Sequence, residues 1–315
     1  MKKFLAKAFL FLTVIFLIVF ISLLLIGKIV NKGNYFTFHK TNQNIILGHS
    51  HAECSYNDSL ILGFKNLAQS GESYFYTYFK LKKVLENNTQ IKTCFVEFTN
   101  NNIESKFEKW IWDDQYISNR YPKYFAFMNA SDIFLLAKLN TFAILNAQSA
   151  SLKSNFLFIK SKKKNYIIEN NLGGYLHIDK TVSDSCLRIQ NKFIEKIDTI
   201  NIANINLQYL TKIVDLCNNK KVKLFFIRSP THKNCTGMYN ERQYKNVLKK
   251  SFSNVEFLDF KNFILPNLNY VDYEHFNYKG ASKYSKFFNS LVEDGLLIRR
   301  NKQQMIDSAL AISNL

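Results

Sequence analysis

Twenty consecutive residues without a charge, Ala8 to Gly27, constrain this chain more than any other feature of its sequence. A run of that length crosses the hydrocarbon core of a bilayer as one helix, which satisfies its own backbone hydrogen bonds there. Lys2, Lys3 and Lys7 precede the run, and Leu25-Ile26-Gly27-Lys28 ends it without a small-x-small cleavage site. A cleaved signal peptide has a shorter apolar region and such a site, so residues 1–30 are expected to be a retained signal anchor. Lysines flank both ends (Lys28 and Lys32 follow), and the positive-inside rule then favours a cytoplasmic N-terminus. The remainder of the chain is expected outside that membrane, periplasmic or at the cell surface.

Beyond the anchor, short apolar runs alternate with stretches of helical periodicity, the pattern of an α/β domain with a parallel sheet. Asn44 to Leu47, Lys92 to Phe98, Val222 to Ile227 and Val255 to Asp259 read as strands, with a short one at Gly63-Phe64-Lys65. Tyr74 to Leu85 and Gly280 to Val292 carry apolar residues at helical spacing. The domain is expected over residues 40–300, and 47% hydrophobic residues suffice for a sizeable core. Residues 104–202 are too many for a simple connection and read as a mostly helical insertion or lid. Within it lie a break at Tyr121-Pro122, a helix near Ile133 to Leu145, and a turn at Gly173-Gly174. Residues 301–315 read as a loosely attached tail.

The net charge of +18 follows from 42 Lys and Arg against 24 Asp and Glu. Its densest clusters, Lys160 to Lys164 and Arg299 to Lys302, lack the interleaved aromatics of a single-strand binding groove. Nucleic acid is therefore not an expected partner of a domain outside the membrane. Cys54, Cys94, Cys186, Cys217 and Cys235 are scattered, odd in number and without a C-x-x-C pair, so neither a disulfide framework nor a zinc ribbon is implied.

Two segments carry the chemistry. In Ile45-Ile-Leu-Gly-His-Ser-His51 a strand breaks at Gly48 into a turn that presents Ser50. In Asp272-Tyr-Glu-His275, just before Asn277 and the Gly280 helix, a carboxylate stands three residues ahead of an imidazole. A serine hydroxyl is a weak nucleophile until a base takes its proton, and an aspartate can hold that base in the required tautomer. Taken singly, Ser50 reads as a helix cap and His275 as a loop histidine. Both fall where parallel sheets place ligand sites, beyond the carboxyl ends of strands, and that convergence favours a catalytic Ser50, His275 and Asp272. Acyl transfer also needs donors for an oxyanion. Gly71, ending Asn66-Leu-Ala-Gln-Ser-Gly71, offers a backbone N–H without a Cβ in the way. Asn100 offers a side-chain amide, as do Asn101 and Asn102. His49, His51 and Cys54 could ligate zinc, but their spacing matches no common site and a strand-to-turn segment splays His49 from His51, so no metal is expected.

These blocks resemble those of the SGNH (GDSL-like) hydrolase superfamily over roughly residues 43–105 and 220–292. Gly48-His49-Ser50 resembles its Gly-Asp-Ser, Asn66 to Gly71 its Asn-x-Gly-x-Ser-Gly, Phe98-Thr99-Asn100-Asn101 its Gly-x-Asn-Asp, and Asp272 with His275 its Asp-x-x-His. The resemblance implies a three-layer α/β/α, flavodoxin-like domain and a Ser-His-Asp triad of Ser50, His275 and Asp272. It also implies an oxyanion hole built from the Ser50 backbone, Gly71 and Asn100. His49, Phe98 and Ala68 depart from the pattern without removing a triad member. Membrane-anchored relatives of this kind move or remove acyl groups on envelope polymers. The implied activity is that of an esterase or O-acyltransferase acting on acyl, chiefly acetyl, esters of cell-envelope glycans. It would need no cofactor, and its partners would be an acylated glycan or other ester and a membrane-bound acyltransferase. A catalytically silent domain of the same fold, binding such a glycan or acyltransferase, is the alternative.

Overall fold

The computed structural model describes residues 1–181 and 200–313. Part of the predicted insertion (182–199), with Cys186, lies outside these residues, as does the end of the tail. In chain order the main elements are α1 (Lys2–Lys32), β1 (Asn44–Leu47), α2 (Ser50–Ser55), β2 (Phe64–Asn66), α3 (Tyr74–Asn87) and β3 (Thr93–Glu97). Then come α4 (Asp114–Tyr124), α5 (Ala130–Leu139) and α6 (Thr141–Lys160). The chain closes with α7 (Asn204–Lys220), β4 (Lys223–Arg228), α8 (Glu241–Ser251), β5 (Glu256–Asp259), α9 (Tyr278–Glu293) and α10 (Lys302–Ser313).

Two compact units share these elements. One comprises Met1–Thr37 and Trp112–Asn170, the other Phe38–Ile111 and Asn171–Leu315. In the first, α1 has a mean hydropathy of 3.3 over its most apolar window and is long enough to cross a membrane. That length and composition suit an anchor or a signal sequence equally. Gly27 of α1 lies against Ala126 and Phe125, and Tyr35 meets Phe158 edge-on at 4.9 Å. The predicted insertion is thus helical in its middle, and that middle clusters with the N-terminal helix. Two expectations within it change. The helix over Ile133 to Leu145 is two helices, parted at Asn140, whose side chain caps α6 by accepting from the Ala143 N–H at 3.1 Å. The break at Tyr121-Pro122 is absent: α4 continues through Pro122 to Tyr124, because a proline in the last turn costs the helix little beyond one N–H.

The second unit holds a five-stranded parallel sheet in the order β2-β1-β3-β4-β5. β3 is buried along its whole length and β1 at three of four positions, which is why both read as near-continuous apolar runs rather than alternating ones. The order reverses at β1, so the crevice beyond the carboxyl ends of β1 and β3 is the topological switch point of the sheet. Ile46, Phe95, Phe225 and Leu258 from four strands pack with Tyr284 and Phe288 of α9 in the core. The tail expected after Arg300 is not loose. Residues 302–313 form α10, whose Ile306 and Leu310, four apart on one face, are buried in that same core.

Candidate active site

Gly48 ends β1 because nothing larger fits. A Cβ there would stand 2.5 Å from Glu97 Cβ and 2.7 Å from Glu97 Oε2. The chain turns at His49, which leads α2, and Ser50 is the first helical residue. Glu97, on the neighbouring β3 and fully buried, holds this turn. Its Oε2 accepts the backbone N–H groups of His49 (3.1 Å) and Ala52 (3.2 Å), on either side of Ser50. Its Oε1 accepts the hydroxyl of Ser229, at the end of β4, at 2.5 Å. Burial pushes the Glu97 carboxyl above its usual range, against the pull of His51 and of these donors. Gly48→Ala forces Glu97 or the turn to move; we expect a loss of about 1–3 kcal/mol of stability in denaturant titrations.

The loop before α9 is shaped by its own side chains. Asp272 Oδ1 accepts the backbone N–H groups of Glu274 (2.7 Å) and His275 (2.8 Å), an Asx-type turn. The Val271 N–H donates to the His275 carbonyl at 2.9 Å, closing the loop. Asn277 caps α9 by accepting from Lys279 and Gly280. Gly280 lies so near the Asn269 carbonyl oxygen that a Cβ would stand 2.3 Å from it.

Across 225 residues of sequence the two segments meet. His275 Nε2 lies 2.7 Å from Ser50 Oγ, and His275 Nδ1 lies 2.9 Å from both oxygens of Asp272. The partners assign the tautomer: Nδ1–H donates to the carboxylate, leaving Nε2 to accept the serine proton. Burial acts to raise the Asp272 pKa, but the hydrogen bond and charge of His275 hold it below the usual aspartate value.

The oxyanion residues fare differently. The Gln69–Glu72 turn, with Gly71 at φ +64°, is tied to the turn that carries Ser50. The Gln69 N–H donates to the Gly48 carbonyl at 3.0 Å, and the Ser70 N–H and hydroxyl both donate to Glu53 of α2. Asn100 does not present a free amide. Its Nδ2 donates to Asn240 Oδ1 (2.7 Å) and Glu241 Oε2 (3.2 Å), using both of its hydrogens, and its Oδ1 accepts from Arg228. Asn100, expected to serve the oxyanion, thus directs both amide hydrogens at Asn240 and Glu241. Asn102 is held too, accepting from the Thr99 backbone and hydroxyl. Asn101, half-buried, lines the cavity at this edge of the sheet together with His51, Ser229, Thr231, Cys235 and Glu274.

Several contributors were not singled out from sequence. Glu97 had a signal, a lone carboxylate inside an apolar strand. Arg228 is fully engaged, with Nε on Asp259 at 3.0 Å and Nη1 on Glu241 at 2.7 Å. From sequence, His49 and His51 have no role beyond that of candidate zinc ligands and, for His49, a departure from the Gly-Asp-Ser pattern. Buried His49 donates from Nε2 to Thr99 Oγ1 at 2.9 Å; burial, then the nearby His51 and His275, hold it well below the usual histidine pKa. Cys54 is buried and unpaired.

Residues 175–297 match the model of an uncharacterised protein family. That stretch takes in Asp272 and His275 but stops short of Ser50, and it covers under half of the chain. No curated protein matches the chain.

Proposed function

We propose that this chain is an SGNH-like serine esterase or O-acyltransferase held at the cell envelope by its N-terminal helix. The observation that carries the reading is the unbroken relay from Ser50 Oγ through the His275 ring to Asp272. The strand order 2-1-3-4-5 supports a flavodoxin-like, three-layer domain of the SGNH kind, with the relay at its switch point. Ser50 Oγ attacks the ester carbonyl carbon while its proton passes to His275 Nε2. His275 returns that proton to the departing alcohol oxygen as the carbon–oxygen bond breaks, leaving an acyl group on Ser50. Water, or a glycan hydroxyl in a transferase, then takes the acyl group by the reverse proton path. The oxyanion is held by the backbone N–H groups of Ser50 and Gly71, with the side-chain amide of Asn101, which lines the cavity, as the third donor.

One observation favours a second reading, a silent module that binds an envelope glycan or a membrane acyltransferase: the Asn100 amide is committed elsewhere. A fluorophosphonate probe separates the two. Labelling of the wild-type chain that vanishes in Ser50→Ala supports the enzyme; folded wild-type protein that never labels supports the module. The anchor is tested separately. The full chain is expected to stay in the membrane pellet through an alkaline carbonate wash and to leave it only in detergent, whereas a cleaved leader would release it.

A further inference from the structure

Beside the relay, on the side facing the cavity, stand two donors that acyl transfer does not use, His51 and Glu274. His51 is 6% exposed, and its Nε2 is buried without a hydrogen-bond partner. It stops 3.6 Å from Glu274 Oε2, outside direct hydrogen-bond range. The His51 and His275 ring centroids are 5.1 Å apart. One ligand atom each from His51, Glu274 and His275 lie within 4.8 Å of one another. A buried nitrogen held only by a long 3.6 Å ion-pair approach to a carboxylate, with a second imidazole beside it, leaves a gap that a bound ligand would close.

We propose that His51, Glu274 and His275 form an inhibitory binding site for a divalent transition-metal ion of the zinc type. Two imidazoles and one carboxylate are a donor set that zinc accepts, with a fourth position left to water. The edges of a tetrahedron with metal–ligand distances near 2 Å are about 3.3 Å, so the His51–Glu274 separation needs only a small adjustment. A neighbouring group, His49, His51 and Glu97, also brings its ligand atoms within 4.8 Å. It is the poorer site, because His49 Nε2 and both Glu97 oxygens are engaged, whereas the first set asks only His275 Nε2 to give up its contact with Ser50. The inhibitory consequence rests on the serine-nucleophile reading above. An ion on His275 Nε2 takes the lone pair that would receive the Ser50 proton, so the base is blocked while the ion stays. The site ties activity to the free metal level outside the membrane.

The test uses untagged full-length protein in detergent, titrated with Zn²⁺ by calorimetry and with Co²⁺ by visible absorption. One ion per chain is expected, with the strong bands of low-coordinate cobalt. The rate of fluorophosphonate labelling at Ser50 should fall over the same ion concentrations and return with a chelator. Glu274→Gln, at a half-exposed position that leaves the fold intact, should weaken both binding and inhibition by at least about tenfold. His51→Ala should do the same in ion binding, with circular dichroism reporting its fold. Ser50→Ala should still bind the ion, because its hydroxyl is not a ligand. Absence of one-to-one binding, or binding that neither Glu274→Gln nor His51→Ala alters, overturns the site. If the ion binds and the variants weaken it, yet ion-free wild-type protein never labels, the metal site stands and the serine nucleophile falls.

Discussion

Ser50→Ala is expected to lower ester turnover by roughly 10⁴–10⁶-fold and to abolish covalent labelling. The size follows from what is left in place. His275 and Asp272 keep their contact, but the base has no hydroxyl to deprotonate, and a water in the vacated space lacks the aim that α2 gives Ser50. Two neighbouring hydroxyls at this edge are engaged: Ser229 donates to Glu97, and Thr99 lies between His49 and Asn102. Asp272→Asn is the sharper companion. Asparagine keeps an oxygen for the Glu274 and His275 N–H groups, so the turn survives, while the carboxylate that holds the imidazole tautomer is lost. A fall of roughly 10⁴-fold is expected, with the fold unchanged. Turnover of an aryl acetate by purified protein, with melting curves alongside, checks both variants. Wild-type activity that persists in Ser50→Ala would place the chemistry elsewhere.

What could be read from the sequence follows from how local the signals are. The central strands were legible because each is a short run of apolar residues bounded by polar ones, and the limits of all five moved by only a residue or two. Ser50, Asp272 and His275 were legible because each is marked locally, by Gly48 on one side and by Asn277 and Gly280 on the other. The engagement of the Asn100 amide could not be read for a complementary reason. Its role depends on Asn240, Glu241 and Arg228, more than a hundred residues away, and no local pattern shows that an amide is already engaged. The grouping of Trp112–Asn170 with the N-terminal helix is likewise set by long-range packing. The helical tail was a readable miss, since Ile306 and Leu310 stand four residues apart.

Arg228→Leu is expected to cost about 3–5 kcal/mol, roughly 10 °C in melting temperature, and to do so most strongly near neutral pH. The guanidinium is almost wholly buried at the end of β4, between Glu241 and Asp259, which are also largely shielded from solvent. Removing it strands two carboxylates in a poorly solvated place, with Lys261 and the more exposed Lys245, each 3.4 Å from Glu241 Oε1, to compensate in part. The pH dependence fixes the cause. Burial acts to raise the Glu241 pKa, but the hydrogen bond and charge of Arg228 bring it from 4.5 down to about 2. A carboxylate depressed in the folded state stabilises fully above its unfolded pKa, and that contribution is lost as pH falls through the folded value. The wild-type chain therefore keeps the Glu241 contribution at neutral pH and sheds it between about 4.5 and 2. In Arg228→Leu the burial is opposed only by the Asn100 hydrogen bond and the neighbouring lysines, the Glu241 pKa rises, and protonation relieves the strain at a higher pH. The gap between wild type and variant should thus be widest near pH 7 and narrow toward pH 3 in melts of detergent-solubilised protein. A gap that stays constant across that range would mean that Arg228 acts through packing against Tyr244, whose ring lies 4.8 Å from its guanidinium carbon, rather than through charge.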